Sequence, residues 1–145
     1  MEAIFVPAGE LPQLEAALQR LEQKDTVKGA LVLMAEEGHF THQEIGPILH
    51  ACRLKVIGGV FPEVIFQGRR KISGTVIVPL SQELSTARIL LSDPENDMAA
   101  QMADAFEQIS PDTHTLLVFC DALAPGKTRF IEELFNHFGA HAAYL

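Results

Sequence analysis

The chain predicts an α/β fold: a mixed sheet built from two pseudo-repeated strand–helix–strand units, with an inserted antiparallel β-meander. Three observations lead there. Residues 30–59, ALVLMAEEGHFTHQEIGPILHACRLKVIGG, read as strand, loop, helix and strand, ending on the pair Gly58-Gly59. The same order starts again at Thr115, in TLLVFCDALAPGKTRFIEELFNHFGAHAAYL. Between the two, short β-rich runs are separated by glycines, as in strands joined by tight turns.

In order along the chain, residues 3–6 (AIFV) form a short first or edge strand that Pro7 and Gly9 close. A helix over residues 11–23 follows, with Pro12 in its first turn, where a missing N–H costs little. Leu11, Leu14, Ala17, Leu18 and Leu21 fall on one face at helical spacing. Residues 30–35 are apolar without alternation, the pattern of a strand covered on both faces. Thr41 then opens a helix. In Thr41-His42-Gln43-Glu44 the threonine is the N-cap and Glu44 reaches back to it, completing a capping box. Ile45, Ile48, Leu49 and Cys52 line its inner face, and Pro47 distorts its first turns.

Val56-Ile57 is the next strand, with Gly58-Gly59 after it. Residues 60–66, 72–80 and 87–91 read as the strands of the meander, and Pro62 marks an edge or a bulge. A helix begins after Asp93, an N-cap followed by Pro94, with Met98, Met102, Ala105, Phe106 and Ile109 as its core face; residues 110–112 end it. Residues 115–120 form the second buried strand. Residues 127–138 form the last helix, with Phe130, Ile131, Leu134, Phe135 and Phe138 inward and Gly139 ending it. Residues 142–145 begin a further strand.

At 145 residues, the chain has the length of a single domain, 1–145, that buries roughly two-thirds of its unfolded surface. Its 48% hydrophobic and 21% charged residues are the balance of a globular protein, not a disordered one. A net charge of −8 argues against nonspecific nucleic-acid or anionic-membrane binding, because phosphate contacts need a basic face. The only basic cluster, Arg69-Arg70-Lys71, reads as a solvated hairpin tip. Neither a signal peptide nor an apolar run of about 20 residues is evident, so a cytoplasmic protein is expected. Cys52 and Cys120 sit in apolar elements and read as reduced core thiols.

ALVLMAEE, a helix, KVIGGVFPEVIFQG and ISGTVIVPL together resemble the N-terminal region of FIST domains, as does TLLVFCDAL followed by helix and strand. The resemblance covers nearly the whole chain, from Ala3 to Leu145. It implies an intracellular sensory input domain that binds a small ligand, such as an amino acid, and passes the signal to a partner or output domain. Two departures stand out. The family often reads roughly GCS-x-x-GE after the strand, whereas here Val60-Phe61-Pro62-Glu63 follows the glycine pair. The family also continues through another glycine-marked hairpin, so a longer natural product is expected to read Gly-Gly soon after Leu145.

In open α/β sheets, ligands bind beyond the carboxyl ends of the parallel strands. Residues 36–40 and 121–126 are the loops at those ends. Gly58, Gly59, Glu63 and Asp121 are therefore the candidate ligand contacts: the glycines by backbone N–H groups, the carboxylates toward a ligand ammonium. The stretch DALAPGKT resembles a P-loop, but Asp121 occupies the position of its first glycine and would repel phosphate. His39 and His42 straddle a helix cap, and His42 and His50 lie about 12 Å apart along the helix, too far to share a metal. His137 and His141 fit the dipole and loop at a helix C-terminus. No cofactor and no metal are expected. The function read from the sequence is a noncatalytic small-ligand sensor. The alternatives are an enzyme, either a degenerate P-loop phosphotransferase at Lys127-Thr128 or an uncharacterised hydrolase, and an interaction scaffold, a homo-dimer among its forms, whose edge at residues 142–145, open if the natural chain ends there, pairs with another chain.

Overall fold

The computed structural model describes residues 2–91, 98–109, 113–121, 123–139 and 142–145. The fold is mixed α/β, as the sequence predicts, and falls into two compact units, Met1–Leu84 and Ser85–Leu145.

The first unit runs β1 (Ile4–Val6), α1 (Leu11–Glu22), β2 (Gly29–Ala35), α2 (His42–Ala51), β3 (Lys55–Phe61), β4 (Val64–Phe66), β5 (Arg69–Lys71) and β6 (Thr75–Leu80). Its main sheet has the order β1-β6-β2-β3. β2 and β3 are parallel, joined through α2, while β6 is antiparallel to both β1 and β2. β1 therefore runs parallel to β2, with α1 as the connection between them.

The register sorts the side chains by face. Ala30, Val32 and Met34 of β2 stand beside Ile77 and Thr75 of β6, and pack with Leu14, Ala17, Leu18 and Leu21 of α1 and Ile45 of α2 in one core. The opposite face carries Ala35, Leu33, Val76, Val78, Phe5 and Phe61, on which Val64 and Phe66 of the β4–β5 hairpin close. That hairpin turns at Gln67 (φ 49°) and Gly68 (φ 72°). Both φ values are positive, as the two-residue turn matching strand twist requires. The capping box of α2 is present: Glu44 N–H donates to the Thr41 hydroxyl, and the Glu44 carboxylate accepts from Thr41 N–H at 2.7 Å.

Several expectations change here. Among the described residues the expected three-strand meander is not continuous: β4 and β5 make a hairpin, and β6 leaves it to lie between β1 and β2. The reason is composition: TVIVPL is apolar or buried at nearly every position, which suits an interior strand and not a half-solvated hairpin. β1 pairs only with Thr75–Ile77, so Pro79 falls where β6 is itself an edge. Residues 87–91 form no strand. Gly58 and Gly59 do not follow the strand but lie inside β3, opposite Val32 and Leu33.

The second unit contains α3 (Met98–Phe106), β7 (Thr115–Leu116), α4 (Lys127–Phe138) and β8 (Ala143–Tyr144). β7 and β8 are parallel, with α4 between them, and Val118 N–H extends the pairing to the Leu145 carbonyl. The strand expected over residues 115–120 is thus two residues of regular ladder. Met98, Met102, Phe106, Leu116, Phe130, Leu134 and Ala142 form the core. Ile131 and Phe135, expected inside, are 44% and 52% exposed, although the Phe135 ring lies 4.5 Å from that of Tyr144. Gly139 ends α4 with φ 56°, the left-handed region that favours glycine. The expected cap and first turn at Asp93-Pro94, the helix end at residues 110–112, and His141 lie outside the described residues.

The two glycines of β3 are not equivalent. A Cβ on Gly58 would lie 1.9 Å from the Val32 carbonyl oxygen, a backbone atom, whereas one on Gly59 would meet only the Phe61 ring at 3.8 Å. Gly58→Ala is expected to cost about 2–3 kcal/mol, because β2 and β3 must separate to admit the methyl group. Gly59→Ala should stay within about 0.5 kcal/mol of the parent. Urea unfolding of the two variants checks the contrast.

Candidate functional site

Gly58, Gly59 and Glu63 belong to the first unit and Asp121 to the second. Gly58 is held by its close approach to Val32, so its lack of a side chain is already explained by strand packing. Glu63 lies in the bend between β3 and β4. Both of its carboxylate oxygens accept from the Arg70 guanidinium, one from Nε and one from Nη2. Hydrogen bonding to Arg70 holds the Glu63 carboxyl below the usual carboxylate range and pushes Arg70 upward. A ligand ammonium at Glu63 would have to displace a bidentate partner. Arg70 lies on β5 with its side chain 76% exposed, and the turn itself is Gln67-Gly68.

Asp121 is exposed, and its Oδ1 accepts from Leu123 N–H at 2.8 Å, a turn made by the aspartate side chain on its own loop. Gly126 precedes α4 with φ 78°, and its carbonyl accepts from Phe130 N–H. The P-loop-like stretch is therefore a turn followed by a helix start, with Asp121 committed to the turn.

The two thiols differ. Cys52 caps the C-terminal end of α2, half-buried beside Glu22 of α1. Burial, and then its hydrogen bond to Glu22, push the Cys52 thiol up to about 11, the opposite of what a nucleophile needs. Glu22 in turn accepts from Arg53 N–H at 2.6 Å. That backbone bond first, and the Cys52 thiol second, hold its carboxyl below its usual value near 4.5. Cys120 is exposed rather than in the core, and its thiol donates to the Asp121 carbonyl at 3.5 Å. His39 Nδ1 lies 2.7 Å from the Glu36 carbonyl, which fixes its ring in its own loop. Among the described residues no group of three His, Cys, Asp or Glu could hold a metal ion.

The second unit carries a feature absent from the sequence reading. An open groove of about 510 Å³ lies between α3 and α4, lined by Ala99, Met102, Ala103, Phe106, Glu107, Glu133, Asn136 and His137. Met102 and Phe106 are its buried apolar members. The His137 ring stacks on Phe106 at 4.0 Å, with Phe138 edge-on to Phe106 at 4.7 Å. Neither Glu107 nor Glu133 forms an ion pair among the described residues. Sequence spacing does not reveal this set, because it comes from two helices more than twenty positions apart. The one usable signal is that acids and an aromatic-stacked histidine flank helix faces otherwise built as core.

Two predictions follow from these carboxylates. Glu63 should titrate below an ordinary glutamate by carboxyl-detected NMR and return toward the ordinary range in Arg70→Ala. For Glu22 the folded value lies below the unfolded one. Its contribution to stability is present above about pH 4.5 and is lost as pH falls through the folded value. The difference in melting temperature between the parent and Glu22→Gln should therefore close as pH is lowered from neutrality to below that range, measured by circular dichroism.

Comparison of the chain with protein-family models, with curated proteins and with solved structures found no match.

Proposed function

We propose that the chain is a noncatalytic small-ligand-binding domain of the FIST type, a cytoplasmic sensory input that passes ligand occupancy to a signalling partner. The resemblance of ALVLMAEE, KVIGGVFPEVIFQG, ISGTVIVPL and TLLVFCDAL to that family supports the sensory part. The observation that carries the binding part is the groove between α3 and α4. Its volume falls in the range of small-molecule sites, and its lining joins apolar side chains to a few polar groups. Glu107 and Glu133 suit an ammonium, and Met102 and Phe106 suit a compact apolar body. An amino acid or a small amine has both parts. Gly59 and Asp121 remain second candidates, while Gly58 and Glu63 already have structural partners. No helix among the described residues is long and apolar enough to cross a membrane. Signalling would work by population shift: a ligand that binds one arrangement of α3 and α4 better raises its share.

A thermal-shift panel of amino acids, small amines and magnesium nucleotides tests the reading. A ligand at a hundred times its Kd adds about 2.7 kcal/mol, a shift of several degrees. Stabilisation by an amino acid or amine, lost in Glu133→Gln, is expected. Loss in Asp121→Ala instead would move the site to the loop after β7. Stabilisation by magnesium nucleotide alone, lost in Lys127→Ala, would replace the sensor by a nucleotide-binding enzyme.

A further inference from the structure

The groove between α3 and α4 has a definite sign of charge. All eight of its lining residues belong to the second unit, so its character is a property of that unit alone. Two of them, Glu107 and Glu133, are carboxylates, and none is Lys or Arg. The remaining polar side chains are the Asn136 amide and the His137 imidazole. The helix ends add to the same sign. Phe106 is the last residue of α3, and its ring lies 4.0 Å from that of His137 and 4.7 Å from that of Phe138, the last residue of α4. The C-terminal ends of both helices therefore meet at the groove, and a helix C-terminus carries the negative end of the backbone dipole. The charge of the whole unit agrees. From Ser85 to Leu145 the sequence holds nine Asp and Glu against three Lys and Arg, so six of the chain's eight net negative charges fall there.

We infer that the ligand of this groove is a small aliphatic diamine, and that the groove selects against free amino acids. The inference rests on the groove being the ligand site, and it narrows the class that the site takes. An amino acid carries its ammonium and its carboxylate on one carbon, so both must be met close together. The ammonium suits Glu107 or Glu133. The carboxylate then enters beside glutamates and helix C-termini, with no cationic side chain in the lining to receive it. Like charges brought together in this way are a strong device of specificity. A diamine meets the same walls favourably. Its two ammonium groups have two carboxylates available, and its methylene chain suits Met102 and Phe106.

Isothermal titration calorimetry of the whole chain with 1,5-diaminopentane and with lysine tests the inference. The two compounds differ by the α-carboxylate alone. At about pH 8 histidine is ordinarily uncharged, so His137 supplies no cation. The diamine is expected to bind roughly tenfold or more tightly than lysine. That preference should shrink as salt is raised, because charge is screened. Glu107→Gln and Glu133→Gln should each weaken diamine binding while the circular dichroism stays that of the parent. Lysine binding as tightly as the diamine, and lost in Glu133→Gln, overturns the selectivity and leaves the groove as the ligand site. Diamine binding that survives both variants overturns the inference and the site together. A preference unchanged by salt overturns the charge argument, since a barrier of shape is not screened. Binding of neither compound overturns the inference, and the thermal-shift panel then decides whether the groove takes another class of ligand.

Discussion

β2 is the strand on which the first unit depends. Its seven residues pair along their whole length with β3, and six of them also pair with β6 on the other side. Backbone groups satisfied on both sides leave the strand free to be apolar on both faces, and GALVLMA is so. One face then needs helices, which α1 and α2 provide. The other needs a lid, which the β4–β5 hairpin supplies over Ala35, Val76 and Phe61. Beside the Val32 carbonyl there is no room for a side chain at Gly58. This accounts for a glycine in the middle of a strand, where glycine is otherwise a cost in chain entropy.

The carboxylates of the first unit singled out here are spent on architecture. Glu44 closes a capping box, Glu22 ties the end of α1 to the backbone and thiol at the end of α2, and Glu63 holds the hairpin through Arg70. Each is held below the ordinary carboxylate range by the bonds that occupy it, Glu44 chiefly by Thr41 N–H. A carboxylate in that condition is a poor first choice for ligand recognition, since a ligand must compete with a partner already in place. In the second unit Glu107 and Glu133 border a groove and have no ion-pair partner among the described residues. The chemistry available to a cationic ligand is therefore better in the second unit than at the bend where Glu63 sits.

Elements with strong local signals are legible in the sequence. The apolar stripe of α1, the Thr41–Glu44 box, the methionine face of α3 and the glycine ending α4 each rest on contacts within a few residues. The parallel pairing of β2 with β3 followed from a helix-length connection. What was not legible depends on partners distant in the chain. β6 looked like one more short strand of a meander, because nothing local says that its neighbours are β1 and β2. The glycine pair looked like a bend because glycine in a strand is unusual, and only the position of Val32 explains it. Ile131 and Phe135 followed the helical period inward, but α4 in this unit has a core on one side only, beneath Phe130 and Leu134. The groove was illegible for the same reason: Glu107 and Glu133 become neighbours only when α3 and α4 pack.

The glycine pair also bears on how β3 holds its place in the sheet. Two adjacent glycines weaken a strand, because each loses more chain freedom on folding than other residues do and contributes no packing. β3 persists because its inner side is pinned along seven positions by β2, and because the Phe61 ring lies beside Gly59 where a side chain would otherwise stand. A ligand-contact role for these two residues would need the same backbone that β2 already holds.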